Sequence, residues 1–553
     1  MKLLTVDEMR QLEKAADEAG LSYAEMMENA GRAVALAIKE RFPKGGWALV
    51  LVGPGNNGGD GLVAARYLHE WGFDVVIYIW KRARKEDPNL VRVQERGLPI
   101  FRSEEDEGWK LLEERVRRCD ILIDALLGTG AKGELRGDLP ELLKVVRRAL
   151  GERVQREGKQ VLHTLYEGQG ARDRGPFIVA VDVPSGLDSD TGTIDERALP
   201  ADLTVTFAYP KRGLFLFPGG RWVGELLVAD IGIDPRLVPE TLEVATAQEI
   251  AKMLPARPID AHKGTFGKVL VVGGSTNYVG APCLAAEAAY RSGAGLVTLA
   301  VPQPIYPSVT AKLTEATFVV LPSDLGALVP EAIKVLADWV EGYQVLLLGP
   351  GLGQDPKTGE FVRALVHGEK KPGAKRVGFE VPQEEPEDQE ISLPPLVLDA
   401  DALNLLAQDS GWWEGLPANS VLTPHPGEMA RLWGCEVQEV QRDRLDLAQQ
   451  AAVKWGCTVL LKGAYSIVAS PDGRTMVIPF ANPTLATAGT GDVLAGTVAG
   501  LMAQGLASYE AVVCGAFLHG LAGELRREER GSVGMLAGEL LEYLPKALEQ
   551  LRR

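Results

Sequence analysis

Two glycine-rich stretches hold the residues best suited to chemistry. The first, GPGNNGGDG at residues 53 to 61, places five glycines, two asparagines and an aspartate directly after the apolar run WALVLV. A strand that runs through such a turn into a helix aims backbone N–H groups and the positive helix end at an anion. Glycine allows close backbone approach, and Asn56, Asn57 and Asp60 add donors and acceptors that a phosphate cradle does not need. A carboxamide oxygen with nearby carboxylates also suits a hard cation or a ligand hydroxyl. The letters match neither G-x-G-x-x-G nor G-x-x-x-x-G-K-[ST], so an ordinary tight turn stays open as the alternative. The second stretch is ATAGTGDVLAG, residues 486 to 496. There the N–H groups of Gly489, Thr490 and Gly491 form a candidate anion nest, with the Asp492 carboxylate at its mouth to accept a proton from an attacking hydroxyl. A helix cap is the structural alternative.

Further candidates sit at strand ends. LIDALLGTGAKGEL places Asp124 after one strand-like run, and VAVDVPSGLDSDTG places Asp182, Ser185 and Asp188 after another. In an open parallel sheet the ligand crevice lies beyond the carboxyl ends of the strands, so these loops and the first glycine-rich turn can share one site. His425 stands between Pro424 and Pro426, in a loop that holds it toward a ligand rather than in a core.

The elements that must position these residues read as α/β. Strand-like runs (WALVLV, DVVIYIW, CDILIDALLG, FIVAVDVPSG) alternate with helical periodicity such as ELLKVVRRAL, and the same grammar restarts with KVLVVGGS, GLVTLAVP, QVLLLGPGLG, PLVLDADALN, SVLTPHPGE and CTVLLKGAYSIVAS. Such alternation predicts largely parallel sheets covered on both faces. A chain of 553 residues exceeds what one core supports. We expect two domains, 1–238 and 239–553, joined through a proline-rich stretch poor in strand signal. Two polar segments, about 151–175 and 368–390, read as insertions. The second is expected to stay mobile, because such composition buries little.

Composition narrows the class of function. A formal charge of −16 repels a phosphate backbone, which argues against sequence-independent nucleic-acid binding. No stretch reaches the ~20 apolar residues of a membrane span. Five cysteines without C-x-x-C spacing argue against a disulfide framework. A soluble, cytoplasmic protein acting on small molecules is expected.

PGNNGGDG, DALLGTGAKGEL and VDVPSGLDSDTG together resemble the NAD(P)H-hydrate epimerase family, over about residues 1 to 235 apart from the first insertion. The resemblance implies a Rossmann-like three-layer sandwich that interconverts the R and S epimers of hydrated NADH or NADPH and holds K⁺. By position, Asn57, Asp124 and Ser185 resemble the K⁺ site. Asn56, Asn57, Gly58, Gly59 and Asp60, the loop Gly128, Thr129, Gly130, Ala131, Lys132, Gly133 and Glu134, and Asp182 resemble substrate contacts. Asp182 is the expected general acid/base, because epimerisation at a hydroxyl-bearing carbon needs proton transfer. A turn-capping aspartate is the alternative for it, and Asp188 is second choice for the acid/base.

The second half carries six ordered motifs, HKGTFGKVLVVGGSTNYVGAPCLAAEAAYRSGAGLV, LGPGLGQD, LDADALN, TPHPGEMARL, LLKGAYSIVAS and ATAGTGDVLAG. Together they resemble the ADP- or ATP-dependent NAD(P)H-hydrate dehydratases of the ribokinase-like superfamily, over about residues 245 to 553 without the second insertion. This implies an α/β/α sandwich with a mostly parallel central sheet. It also implies contacts to the hydrated substrate from Ala281, Gly353, His425 and Asp492, and an adenine-nucleotide site at Lys462, Gly463, Ala464, Tyr465, Ser466 and Gly491. Mg²⁺ with ADP or ATP is the expected cofactor, and Asp492 the expected base. Family members often assemble, so a homo-oligomer is expected. Two rival readings are a ribokinase-like small-molecule kinase for the second half and a non-catalytic binding module for the first.

Overall fold

The computed structural model describes residues 1–553 except 83–86, 132–133, 158–174, 240–241 and 368–391. The chain divides into two compact units, Met1–Leu242 and Glu243–Arg553, a division just past residue 238. Each is built on one large sheet.

The first sheet has seven strands: β1 (Trp47–Val52), β2 (Asp74–Ile79), β3 (Ile100–Arg102), β4 (Ile121–Ala125), β5 (Phe177–Val181), β6 (Leu203–Phe207) and β7 (Glu225–Ala229). All pair in parallel, in the order β3-β2-β1-β4-β5-β6-β7. Side chains alternate between the two faces of a strand. Ala48, Val50 and Val52 join one apolar cluster with the helices Val6–Glu18, Tyr23–Arg41 and Asn56–Glu70. Leu49 and Leu51 join a second cluster with the helices Lys110–Arg118 and Leu139–Glu157. Burial on both faces explains why these strands are near-continuous apolar runs rather than alternating ones. The order reverses between β1 and β4, which opens the ligand crevice of a doubly wound sheet at their carboxyl ends.

The second sheet has ten strands: β8 (Glu243–Val244), β9 (Lys268–Val272), β10 (Leu296–Pro302), β11 (Thr317–Leu321), and, beyond the small hairpin β12 (Ser323–Asp324) and β13 (Ala327–Leu328), β14 (Val345–Leu348), β15 (Leu396–Leu398), β16 (Val421–Leu422), β17 (Thr458–Leu461), β18 (Ile467–Ala469) and β19 (Thr475–Val477). The order is β11-β10-β9-β14-β15-β16-β17-β18-β19-β8. Pairing is parallel from β11 through β17, and β18 is antiparallel to both of its neighbours. The reversal falls between β9 and β14. CTVLLKGAYSIVAS, read from its letters as one strand, is therefore the hairpin β17–β18, with Lys462–Ser466 as its turn. The proline-rich stretch is also more regular than its letters imply. It contains β8 and the helix Ala247–Met253, which opens on a capping box between Thr246 and Glu249. The first polar segment begins as the continuation of the helix Leu139–Glu157, and most of it lies outside the described residues, as does 368–390.

The glycines of the first turn serve packing rather than ligand approach. The helix already starts at Asn56, with Gly55 as N-cap, so NNGGD forms its opening turns. A Cβ on Gly53 would lie 1.8 Å from the Leu126 carbonyl oxygen, and one on Gly61 would lie 2.5 Å from Ala125 Cβ. Glycine lets the helix and the β1 and β4 ends close on one another. At Gly55, by contrast, an added carbon meets nothing within 4 Å. Gly53→Ala should therefore destabilise the first unit by about 1–3 kcal/mol or more through overpacking, while Gly55→Ala, which only replaces glycine at the helix N-cap, should cost less, about 0.5–1 kcal/mol. Urea unfolding of the two variants checks the contrast.

Candidate functional site

In the first unit the loops after β1 and β4 and the end of β5 meet around a cavity of about 1340 Å³. Asn56, Asn57, Asp60, Gly128, Thr129, Gly130, Ala131 and Asp182 line it, together with Arg10, Glu13 and Arg82. Gly58 and Gly59 face the protein instead, against the Gly53 carbonyl and Met27. Glu134 is exposed and outside the lining, while Lys132 and Gly133 lie outside the described residues.

Asp182 follows β5 with a left-handed backbone, φ 64°, a conformation that aspartate tolerates better than most residues. Its Oδ1 accepts from Lys211 Nζ at 2.5 Å, Thr206 Oγ1 at 3.0 Å and the Phe207 N–H at 3.3 Å. The lysine side chain is 1% exposed and the aspartate side chain 12%. Three donors on one oxygen leave Oδ2 without a partner among the described residues, at the cavity wall. Asp60 lies on the same cavity without a bonded cation, and burial, then the charges of Asp182 and Glu13, push its carboxyl well above the usual range. Glu13 is raised too, chiefly by burial. The site thus holds one carboxyl group hydrogen-bonded to a lysine beside carboxyls that burial biases toward the neutral acid. Asp188, the second choice, uses Oδ1 to accept from the Asp190 and Thr191 N–H groups and caps its own turn.

Asn57, Asp124 and Ser185 are all buried and adjoin one another. Asp124 accepts from Ser185 Oγ at 2.6 Å and from the Ser185 N–H at 3.0 Å, and Asn57 Nδ2 donates to the Leu127 carbonyl at 2.8 Å. Burial raises Asp124 despite those bonds, and no cation pairs with it among the described residues. One carboxylate, one carboxamide oxygen and one hydroxyl form a hard, weakly charged donor set. This set fits a monovalent cation. Among the described residues no group of three His, Cys, Asp or Glu side chains is placed to hold a metal.

In the second unit the strand ends again converge. Lys462, after β17, donates to Asp399 Oδ1, after β15, at 2.6 Å, and its ammonium lies 3.8 Å from Glu428 Oε2. Thr423 Oγ1 also donates to Asp399, at 2.7 Å. Burial works against the Lys462 charge, but Asp399 and Glu428 raise it overall. Burial, with Asp399 adding, pushes Asp492 up to about 7 and Glu428 likewise to about 7. A methyl on Gly491 would sit 3.5 Å from Lys462 Nζ, so the lysine head lies against the second glycine-rich turn. That turn differs from the expected nest in one donor. The Thr490 N–H bonds to the Thr487 carbonyl, which leaves the Gly489 and Gly491 N–H groups of the expected nest without a backbone partner among the described residues, joined by the Asp492 N–H of the first helical turn. His519, buried and lowered to about 4 by that burial, bonds the Thr490 carbonyl at 2.9 Å. Neutral at pH 7, it donates there.

The other expected contacts lie on neighbouring strand-end loops, after β9, β14 and β16. The Gly353 N–H donates to Asp401 Oδ2 at 2.9 Å, and Ala281 opens the helix Gly280–Arg291 against Gly351. His425 is half-exposed, yet its Nδ1 accepts from the Gly427 and Glu428 N–H groups and caps the helix Pro426–Trp433. Burial and then Lys462 lower its pKa, so it is neutral with the proton on Nε2. It combines a structural and a site-facing role.

The chain is matched by known proteins over its whole length. Residues 23–213 match the family model described as YjeF-related protein N-terminus, and residues 269–546 match NAD(P)H-hydrate dehydratase. The bifunctional NAD(P)H-hydrate repair enzyme Nnr of Moorella thermoacetica is 40% identical over 572 residues, covering 100% of this chain and 97% of its own. The chain belongs to the bifunctional NAD(P)H-hydrate repair enzyme family. The Escherichia coli K12 member is 31% identical, over 98% of this chain and 92% of its own. Among solved structures, the ADP/ATP-dependent NAD(P)H-hydrate dehydratase of Bacillus subtilis, co-crystallised with ATP/Mg²⁺, is 29% identical. It covers 57% of this chain and 100% of its own, with a TM-score of 0.46.

Within the family's two halves, the sequence reading missed Lys211, Asp399, Glu428, Thr423 and His519. Lys211 ends the run TVTFAYPK, a lysine at a strand end, which is the same signal that singled out Asp182. Asp399 and Glu428 stood inside quoted motifs without being read as charges for Lys462. Removing one partner of a buried pair leaves the other uncompensated, so Lys211→Met should cost the first unit about 3–5 kcal/mol. The double variant Lys211→Met/Asp182→Asn should recover most of that loss. A double-mutant cycle by chemical unfolding measures the coupling.

Proposed function

We propose that the chain repairs hydrated NADH and NADPH. The first unit epimerises the R and S hydrates, and the second dehydrates the S epimer with ADP or ATP. The observation that carries this reading is the presence of two chemically distinct sites, each at the carboxyl ends of the strands of its own sheet, on a chain aligned end to end with bifunctional repair enzymes.

In the first unit, epimerisation needs the ring hydroxyl to leave and return on the other face. Asp60, biased toward its neutral form, protonates the departing hydroxyl. Asp182, oriented by its bond to Lys211, takes the proton from the returning water through Oδ2. Environments that drive two carboxyls apart in protonation supply the acid and the base of one reaction. Asn57, Asp124 and Ser185 would hold K⁺, which when bound supplies a positive charge to the buried Asp124 and a fixed anchor for the loop after β4. Epimerisation should therefore depend on K⁺, and Asp124→Asn should abolish that dependence in a salt titration at constant ionic strength.

In the second unit, the Gly491 and Asp492 N–H groups and Lys462 face the nucleotide's transferring phosphoryl group. Asp492 deprotonates the hydrate hydroxyl, whose oxygen takes the terminal phosphoryl group of the nucleotide as that P–O bond breaks, and the ring C–O bond then breaks to release phosphate while an adjacent ring C–H proton is lost to restore the dihydronicotinamide. Mg²⁺, when bound with the nucleotide, neutralises phosphate charge. The clustered Asp399 and Glu428 carboxylates are the groups available to meet it beside the phosphates. A base with a pKa of about 7 works when ionised. Dehydration kcat/KM should thus fall about tenfold per unit below about pH 7 and level off above it. Asp492→Asn should lose on the order of 10²–10⁴-fold.

Among the described residues no helix is long and apolar enough to cross a membrane. All five cysteines are free thiols, which supports the cytoplasm as the working compartment. A homo-oligomer belongs to this reading, and light scattering tests it. The function itself is tested with a mixture of R and S NADH hydrate, K⁺, Mg²⁺ and ADP or ATP. Dihydronicotinamide absorbance should recover fully, faster than spontaneous epimerisation. A plateau at the S fraction contradicts the epimerase, and no recovery with either nucleotide contradicts the dehydratase.

A further inference from the structure

The turn Lys462–Ser466 has two buried cations beside it, and their surroundings differ. Lys462 is tied to Asp399, with Glu428 close by. Arg444, the first residue of the helix Arg444–Trp455, is 7% exposed, and no described carboxylate lies within ion-pair reach of it. Its hydrogen bonds go to neutral acceptors: Nη2 to the Leu461 and Lys462 carbonyls at 3.3 and 3.4 Å, and Nη1 to Gln441 Oε1 at 3.3 Å. The guanidinium also lies directly behind Gly463, where an added Cβ would stand 3.1 Å from both Nη atoms. Gly463 has φ 145°, so the turn passes over the guanidinium with bare backbone between them.

An unpaired buried charge is costly, and the helix beginning at Arg444 adds its own positive end. Burial does lower Arg444, to about 10, but this leaves it charged at pH 7. The positive charge of Arg444 under this turn is therefore not paired with any described carboxylate. We propose that Arg444 is the electrostatic floor of the adenine-nucleotide site, fixing the Lys462–Ser466 turn through its carbonyls and taking the nucleotide phosphates as its counter-charge across Gly463. The inference rests on the nucleotide site proposed above. Arg444 is a positioning residue that acts through the turn and through its field, without touching the reacting atoms.

Calorimetric titration of the full chain with ADP and with adenosine separates the field from the scaffold. Arg444→Met should weaken ADP about tenfold, the scale of a buried charge acting over a short distance. Adenosine, which carries no phosphate, should stay within about twofold of wild type. Arg444→Lys should keep the preference for ADP. Arg444→Gln keeps an amide donor for the carbonyls but not the charge, and gives the same readout should the Met variant fail to fold. Equal weakening of ADP and adenosine would make Arg444 a scaffold only and overturn the proposal, as would unchanged ADP affinity. Wild-type protein that binds neither ligand would overturn the nucleotide site itself, and the role of Arg444 with it.

Discussion

A buried lysine ammonium held by a strand-end aspartate organises each of the two sites. Lys211 on Asp182 and Lys462 on Asp399 both place full charges where water is nearly excluded. Such pairs are weak sources of stability, because desolvation offsets most of their attraction. What they contribute is fixed geometry. With Lys211 bound to one carboxylate oxygen, Asp182 presents the other to the cavity. With Lys462 between Asp399 and Glu428, and against Gly491, the acidic cluster of the second unit can approach an anion nest without repelling its ligand.

The carboxyls around each lysine then sort by environment. Asp60 lies near the same lysine as Asp182 but lacks its bond, and burial drives it toward the neutral acid. Asp492 lies near Lys462 but is not bonded to it, and burial with Asp399 moves it to about 7. On the proposed function, the same physical device would serve as a proton donor in one unit and a titratable base in the other. Proton transfer during epimerisation and hydroxyl activation for phosphoryl transfer make those two demands.

Much of this was legible in the sequence. The strand runs follow from apolar periodicity, and the meeting of the loops that carry Asn57, Asp124 and Ser185 follows from where loops must lie in an open parallel sheet; the grouping of those three as a cation site comes from the family resemblance. Local letters also carried the Thr246–Glu249 capping box, although the surrounding prolines masked it. What was not legible depends on partners distant in sequence. That Gly53 must be glycine because of the Leu126 carbonyl is a property of the packed loops. That Lys211 meets Asp182 requires two adjacent strands to be in register. CTVLLKGAYSIVAS reads as one apolar strand because a tight turn leaves the hydrophobic content on both sides unchanged. The missing charge partner of Arg444 cannot be seen without the fold around it.

The central claim is that the chain carries two independent chemistries, one per unit, each set by its own buried lysine and aspartate. Complementation tests it most directly. Full-length Asp182→Asn and full-length Asp492→Asn are each given pure R NADH hydrate with K⁺, Mg²⁺ and nucleotide, first separately and then mixed. Neither variant alone should restore dihydronicotinamide absorbance faster than spontaneous epimerisation allows, and the mixture should restore it fully. Rapid recovery by the Asp182→Asn chain alone would show that the first unit's aspartate does not carry epimerisation. Failure of the mixture, with each variant folded, would contradict the assignment of one complete reaction to each unit.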